Sequence, residues 1–145
     1  MKILVSYDGS AGAMEALKYA LELKCSVDEY YIIYVVPIIV GMSSCIESYR
    51  PQSSHESLDK TADQVLEKAK NVLNNVEIKY ELIKISSNRI DMPKNILKTA
   101  EVKGVDLIVT STKKLHGFSR LILGSISSGI IAHSNIPVIV VPKKG

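Results

Sequence analysis

Short apolar runs alternate with longer amphipathic stretches along the whole 145-residue chain. Four of these runs, at residues 3–5, 30–36, 107–109 and 138–141, contain no charged residue. Runs of this kind are typical of strands that are covered on both faces, as in a parallel sheet. A fifth run at 76–85 alternates apolar with charged residues, which predicts a strand with one wetter face near an edge of the sheet.

Four stretches with the spacing of amphipathic helices lie between the predicted strands. Each begins with residues that favour a helix start: Ser10, Ser57, the triplet Asp91-Met92-Pro93, and Gly124 or Ser125. The last three stretches are predicted to end at Asn74-Asn75, at Gly104 and at about His133. The order βαβαβαβαβ predicts one α/β domain over residues 1–145, with a doubly wound, Rossmann-like and mainly parallel sheet.

The composition is that of a globular chain, with 46% hydrophobic and 23% charged residues. No apolar run approaches the ~18–20 residues of a membrane span, and the N-terminus lacks the pattern of a signal peptide, so we expect a cytoplasmic protein without membrane contact. The basic residues behind the net charge of +3 are dispersed, and one Phe without any Trp offers little base stacking, which argues against nucleic-acid binding. Cys25 and Cys45 lack metal-site spacing and are expected to be buried thiols.

Ligands of open α/β sheets bind at the carboxyl ends of the strands, where the strand order reverses. The segments that follow the predicted strands are therefore the candidate sites: 6–10, 35–37, 86–88 and 110–127. The connection at 37–56 is long for a compact domain and is expected to be functional or disordered.

Residues 124–127, Gly-Ser-Ile-Ser, stand at the start of the fourth predicted helix. A helix N-terminus offers free backbone N–H groups and the positive end of the helix dipole, which makes this segment a candidate phosphate site with Ser125 and Ser127 as further donors. The alternative is that Ser125 only caps the helix. Asp8 could accept hydrogen bonds from a ribose or hold a cation-bound water, and the alternative there is a turn, which the sequence Asp-Gly-Ser favours.

Three segments together resemble the universal stress protein family: ILVSYDGSAGAMEAL at the start, IIYVVP in the second strand and LILGSISSGIIAHSNIPVIVVP at the end. The resemblance extends over the whole chain. It implies a five-stranded sheet of order 3-2-1-4-5, a homodimer, and a regulatory module of the stress response rather than an established enzyme. No catalytic residue and no metal ligand is predicted, and slow ATP hydrolysis is left open.

Family members that bind ATP share a pattern of Gly, two residues, Gly, nine residues, Gly, and then Ser or Thr. Gly124 and Ser125 match the end of this pattern, but Ser111 and Lys114 stand at the two earlier glycine positions. A lysine brings a long side chain to a position where glycine lets the backbone approach a phosphate closely. Cationic side chains nearby could replace the lost contacts, or they form a solvated basic loop. These side chains are Lys113, Lys114, His116 and Arg120.

Two hypotheses follow from this departure. In the first, the chain is a homodimer that binds ATP, with Mg²⁺, as a switch ligand. Asp8 would contact the ribose or a cation, and Val36 would present its backbone to the adenine. The residues expected along the phosphates are Ser111, Lys114, Gly124, Ser125, Ile126 and Ser127. In the second hypothesis, the chain is a nucleotide-free dimeric interaction protein of the same fold that has lost the site.

The last predicted strand is bounded by Pro137 and Pro142, and the resemblance places it at an edge of the sheet. An apolar edge strand invites pairing with another chain unless it is covered. We therefore expect antiparallel pairing with the same strand of a second copy across a two-fold axis. The predicted interface residues are Val138, Ile139, Val140 and Val141. The alternative is an edge that the chain's own segment 37–56 covers.

Overall fold

The structure, a computed structural model, describes residues 1–38, 53–113 and 122–143, with only the backbone of residues 53–56. Within these ranges, five strands alternate with four α-helices, as the sequence predicts. Their bounds are β1 (Lys2–Ser6), α1 (Ala11–Glu22), β2 (Glu29–Pro37), α2 (Ser53–Leu73), β3 (Tyr80–Ser87), α3 (Met92–Lys103), β4 (Leu107–Ser111), α4 (Ser125–His133) and β5 (Val138–Val141). A short 3-10 helix, Lys24–Ser26, follows α1.

The five strands form one sheet in the order β3-β2-β1-β4-β5, and every neighbouring pair runs parallel. This arrangement confirms the predicted fold and strand order. The central strand β1 pairs with β2 on one side and with β4 on the other, so that Val5 lies between Ile32 and Val109. The chain moves outward from β1 in one direction and then in the other, which places the reversal of strand order between β1 and β4.

Both faces of the sheet are covered, because alternate side chains of each strand point to opposite sides. On one side, Ile3 and Val5 pack in a cluster with Leu17 of α1 and Leu73 of α2. On the other side, Leu4 belongs to a cluster that also contains Ile96 of α3 and Ile130 of α4. These side chains are all at most 1% exposed, so the sheet is the middle layer of three. No helix within the described ranges combines the length and the apolar character that a membrane crossing requires.

The turn after β1 is specified by three successive residues. The Asp8 carboxylate accepts a hydrogen bond from the Ser10 N–H at 2.9 Å, and Ser10 Oγ accepts one from the Ala13 N–H at 3.1 Å. Ser10 is therefore the N-cap of α1, as predicted. Gly9 between them has φ of 79°, in the left-handed region that favours glycine, and a Cβ at this position would lie 3.0 Å from a methyl group of Val65.

Three details of the fold differ from the sequence-based expectations. Helix α2 begins at Ser53, before the predicted cap Ser57, so the connection after β2 ends earlier than residue 56. Strand β3 begins at Tyr80 rather than at residue 76, because its partner β2 begins only at Glu29 and the register pairs Tyr80 with Tyr30. Cys25 is exposed in the short 3-10 helix, so the expectation of a buried thiol was wrong there, and Cys45 lies outside the described residues.

Candidate functional site

A small crevice opens at the carboxyl ends of β1 and β4, where the strand order reverses. It has a volume of about 40 Å³. Its lining contains Ser6, Asp8, Thr110, Ser111, Lys113, Gly124, Ile126 and Ser127. The structure therefore brings together five of the eight residues predicted for nucleotide binding. These are Asp8, Ser111, Gly124, Ile126 and Ser127. Ser6 and Thr110 were not singled out from the sequence, although each lies at the end of a predicted strand.

The N-terminus of α4 faces this crevice without a side-chain cap from any described residue. Gly124 is the N-cap, with φ of −68° and ψ of 163°, and its carbonyl accepts the first helical hydrogen bond from the Ser128 N–H at 2.9 Å. The three N–H groups between them, on residues 125–127, have no partner inside the helix. Because the helix dipole also concentrates positive charge at this end, the site favours an anion.

Ser125 is the first residue of α4 rather than its cap, so the capping alternative for this residue was wrong. Its side chain is exposed and lines a different groove, between α3 and α4, with a volume of about 1050 Å³. The Ser125 backbone N–H is nevertheless one of the three amides at the start of the helix that have no partner inside the helix. The cap is the preceding glycine.

The hydroxyl of Ser127 is buried and bonded within the protein. Ser127 Oγ donates to the Ser111 carbonyl at 2.8 Å and lies 2.9 Å from Thr110 Oγ1. A serine hydroxyl has one hydrogen, so Thr110 supplies the donor of the second bond. The Ser127 side chain thus joins the end of β4 to the first turn of α4. Its backbone N–H is one of the three amides that have no partner inside the helix.

Asp8 provides the negative side of the crevice. Its side chain is exposed, Oδ1 is occupied by the Ser10 N–H, and Oδ2 has no hydrogen-bond partner among the described residues. Burial, and then the nearby Asp8 charge, raise the pKa of both Tyr7 and Tyr34. Both phenols therefore stay protonated at neutral pH, so neither is a ready nucleophile. At this side of the crevice the group available to a ligand is therefore a hydrogen-bond acceptor, Oδ2 of Asp8.

Lys113 provides the positive side. It is exposed, and its Cδ and Cε lie 3.3 Å from the point where a Cβ of residue 124 would sit, so the side chain runs across Gly124. The Lys113 backbone pairs antiparallel with Ile122, through N–H to carbonyl distances of 2.9 and 3.2 Å. This pairing brackets residues 114–121. Within the described part of the chain, no carboxylate forms an ion pair with Lys113.

Of the two remaining predicted nucleotide contacts, one lies away from the crevice lining and the other lies outside the described residues. Val36 is buried at the carboxyl end of β2, opposite Ser86, and is absent from the crevice lining. Lys114 lies outside the described residues, as do His116 and Arg120, and its predicted role stays a prediction. Among the residues that are described, no group of three or more His, Cys, Asp or Glu side chains is arranged to hold a metal ion.

The fold and the crevice define a doubly wound α/β domain with a crevice at its switch point. The model of the universal stress protein family matches residues 1–142, and the chain belongs to this family. Universal stress protein MJ0531 of Methanocaldococcus jannaschii is 33% identical over 146 residues, which cover 98% of this chain and 82% of that protein.

Two solved structures show how far the fold is shared. The structure of the hypothetical protein MJ0577 superposes with a TM-score of 0.79 at 28% identity, covering 99% of this chain and 96% of that one. A curated relative of the same name is Universal stress protein MJ0577 of Methanocaldococcus jannaschii. The universal stress protein of Archaeoglobus fulgidus in complex with dAMP has a TM-score of 0.70 at 19% identity, covering 97% of each chain.

Proposed function

We propose that this chain is a cytoplasmic regulatory domain of the stress response that binds an adenine nucleotide in the crevice between β1 and β4. One observation carries the proposal: the crevice combines the Asp8 carboxylate with the N-terminus of α4, whose amides no described side chain caps. A carboxylate accepts hydrogen bonds, whereas a helix N-terminus donates them to an anion. A nucleotide meets both requirements, because its ribose carries hydroxyl donors and its phosphates are anionic. The dAMP complex of the Archaeoglobus protein, which shares the fold, supports this assignment.

The roles of the residues follow from these two ends of the crevice. Asp8 would use its free oxygen for the ribose hydroxyls or for Mg²⁺ that arrives with the phosphates. The amides of Ser125, Ile126 and Ser127 would donate to a phosphate, and Gly124 would let the phosphate approach the backbone. Ser111 and Lys114 would line the same phosphates. Val36, at the end of the strand beside β1, would present its backbone to the adenine.

A second candidate function is a nucleotide-free interaction protein of the same fold. The size of the crevice favours it, since about 40 Å³ is far less than the ~300–1,000 Å³ of most ligand pockets. Part of this space is taken by the Lys113 side chain across Gly124. The two functions therefore differ in whether this side chain leaves when nucleotide is added.

The test is a titration with ATP in the presence and absence of Mg²⁺. Calorimetry measures the binding, and the melting temperature measures the stabilisation that ATP causes. A ligand that binds only the native state stabilises it by about 2.7 kcal/mol at a hundred times its Kd. Gly124→Val is expected to abolish this stabilisation, because its methyl groups fill the space between α4 and the phosphate. The backbone of Gly124 is extended, a conformation that valine adopts readily, and the atoms that a new Cβ would approach at 3.3 Å belong to the flexible Lys113 side chain, so the variant is expected to fold.

Ser128→Val is the matched control, since Ser128 is an exposed residue in the first turn of α4 that does not line the crevice. It is expected to keep the full response to ATP. A wild-type protein without any shift at millimolar ATP contradicts nucleotide binding and favours the second candidate.

We also propose that the domain is a homodimer through β5. This strand pairs only with β4 among the described residues, which leaves its other edge free for a second chain. Val138, Ile139 and Val140 are only partly buried in the single chain, and Val141 is 9% exposed. Antiparallel pairing of two β5 strands across a two-fold axis would continue the sheet and cover these side chains.

A further inference from the structure

The Lys113 side chain occupies the approach to the free amides of α4. Its aliphatic part lies across Gly124, and its ammonium group has no ion pair with any carboxylate of the described residues. Some lysines of the domain are held by carboxylates: Lys84 pairs with both Asp59 and Asp63, and Lys103 pairs with Glu81. Lys113 is thus a cation at the crevice without a carboxylate partner among the described residues.

Two parts of this side chain act in opposite directions on a nucleotide. The aliphatic part must leave Gly124 before a phosphate reaches the amides, and this requirement is the same for every nucleotide. The ammonium group, once displaced, stays within reach of the bound phosphates and gains more from a chain that carries more charge. Asp8, on the opposite side of the crevice, repels the same charge when no cation accompanies it.

We propose that Lys113 determines the preference of this site for the number of phosphates, so that it selects triphosphates over monophosphates. The inference rests on the proposed nucleotide site and goes beyond it. The backbone amides of α4 bind one phosphate group, whereas the Lys113 ammonium group interacts with the further phosphates of the ligand.

Two variants separate the two parts of the side chain. Lys113→Met keeps an unbranched apolar chain of similar length and removes the charge, and Lys113→Ala removes both. Lys143→Met is the matched control: Lys143 follows β5, its N–H donates to Thr112 Oγ1 at 3.1 Å, and it does not line the crevice. Kd values for adenosine, AMP, ADP and ATP are measured by calorimetry at two salt concentrations, with EDTA and then with Mg²⁺.

In wild type and in Lys143→Met, affinity is expected to rise with each phosphate, and this rise is expected to shrink at high salt. Lys113→Met is expected to weaken ATP binding about tenfold, as for loss of one charge-assisted contact, with a smaller change for AMP. Lys113→Ala is expected to bind AMP more tightly than Lys113→Met, because the obstruction in front of the amides is gone, whereas the two variants are expected to bind adenosine alike.

The outcomes distinguish this inference from the proposed function. Nucleotide binding with the same ratio of ATP to AMP affinity in wild type and Lys113→Met would overturn the role of Lys113 and leave the nucleotide site standing. Equal loss of ATP affinity in Lys143→Met would also overturn it, since the effect would then be one of overall charge. A wild-type protein that binds none of the four compounds overturns both.

Discussion

The side-chain oxygens of Thr110 and Ser127 lie 2.9 Å apart, and Ser127 Oγ also donates to the Ser111 carbonyl at 2.8 Å. Thr110 and Ser127 are 3% and 6% exposed. These bonds connect the last residues of β4 with the first turn of α4, and the connection crosses a stretch of chain that includes residues 114–121. They therefore fix the direction in which the first-turn amides of α4 point.

Ser127→Ala is expected to destabilise the protein by about 1–3 kcal/mol, because it leaves the Thr110 hydroxyl and the Ser111 carbonyl without their partner in a buried place. Urea denaturation measures this change. Adding Thr110→Val is expected to recover part of the loss, since it removes one of the two orphaned groups. Ser128→Ala, at an exposed position of the same helix, is the control and should change stability by less than about 0.5 kcal/mol. A Ser127→Ala variant as stable as this control contradicts the account.

Gly129 sets how closely α4 approaches α3. A Cβ at this position would lie 2.5 Å from Pro93 Cγ, closer than packed carbon atoms allow. Alanine in place of a helical glycine normally adds about 1 kcal/mol of stability, but here the two helices would have to separate. We expect Gly129→Ala to destabilise the protein in thermal and urea unfolding.

The proline provides the control for this prediction. In a Pro93→Gly background the Cγ at 2.5 Å and the Cβ at 2.7 Å are both absent, and Gly129→Ala is then expected to be neutral or stabilising. Additive effects of the two substitutions would mean that the contact between Gly129 and Pro93 does not limit the approach of the helices.

The fold was predictable because its signals are local and agree with one another. Ser10 caps α1 and Gly104, with φ of 65°, ends α3, as their residue types indicate. The start of β3 was not predictable from local signals, since it depends on where the distant strand β2 begins to offer hydrogen bonds.

The candidate site was predictable in its position and less so in its detail. The rule of the switch point places Asp8 and Gly124 in one crevice, and the structure bears this out. Nothing in the sequence indicates that the Ser127 hydroxyl donates a hydrogen bond to the Ser111 carbonyl, or that the Lys113 side chain lies across Gly124. Both depend on side-chain conformations that form only once β4 and α4 are packed.

Tyr31 makes the stability sensitive to alkaline pH. Its hydroxyl donates to Glu29 Oε2 at 2.8 Å, and this hydrogen bond to the carboxylate, followed by burial, raises the pKa of Tyr31 to about 12. In the unfolded chain a tyrosine loses its proton near pH 10. Between these values the native state holds the proton that the unfolded state has released, so the free energy of unfolding falls as pH rises above about 10.

Urea unfolding at a series of pH values from 9 to 11 measures this slope. Tyr31→Phe is expected to be less stable at pH 9, through loss of the hydrogen bond, and to lose stability less steeply above pH 10. Tyr19→Phe, at a tyrosine that is 41% exposed, is the control and should follow the wild-type curve. Parallel curves for wild type and Tyr31→Phe would show that this hydroxyl titrates alike in the folded and unfolded chains.

The proposed dimer depends on the side chain of Val140, on the free edge strand β5. Ile139 and Val141 pack with the cluster that α1 and α2 cover, and Val138 packs with the opposite cluster, whereas Val140 is partly exposed and belongs to neither. Val140→Lys should therefore leave the single chain folded and place a charge in the interface across the two-fold axis, where an unpaired buried charge is costly.

Sedimentation velocity is expected to give twice the 15.9 kDa chain mass for wild type and a monomer, or a dimer that dissociates at higher concentration, for Val140→Lys. Val102→Lys makes the same change at a valine of α3 that is 77% exposed, and it should remain dimeric. A wild-type monomer at micromolar concentration would refute the assembly, and a Val140→Lys dimer as stable as wild type would place the interface elsewhere.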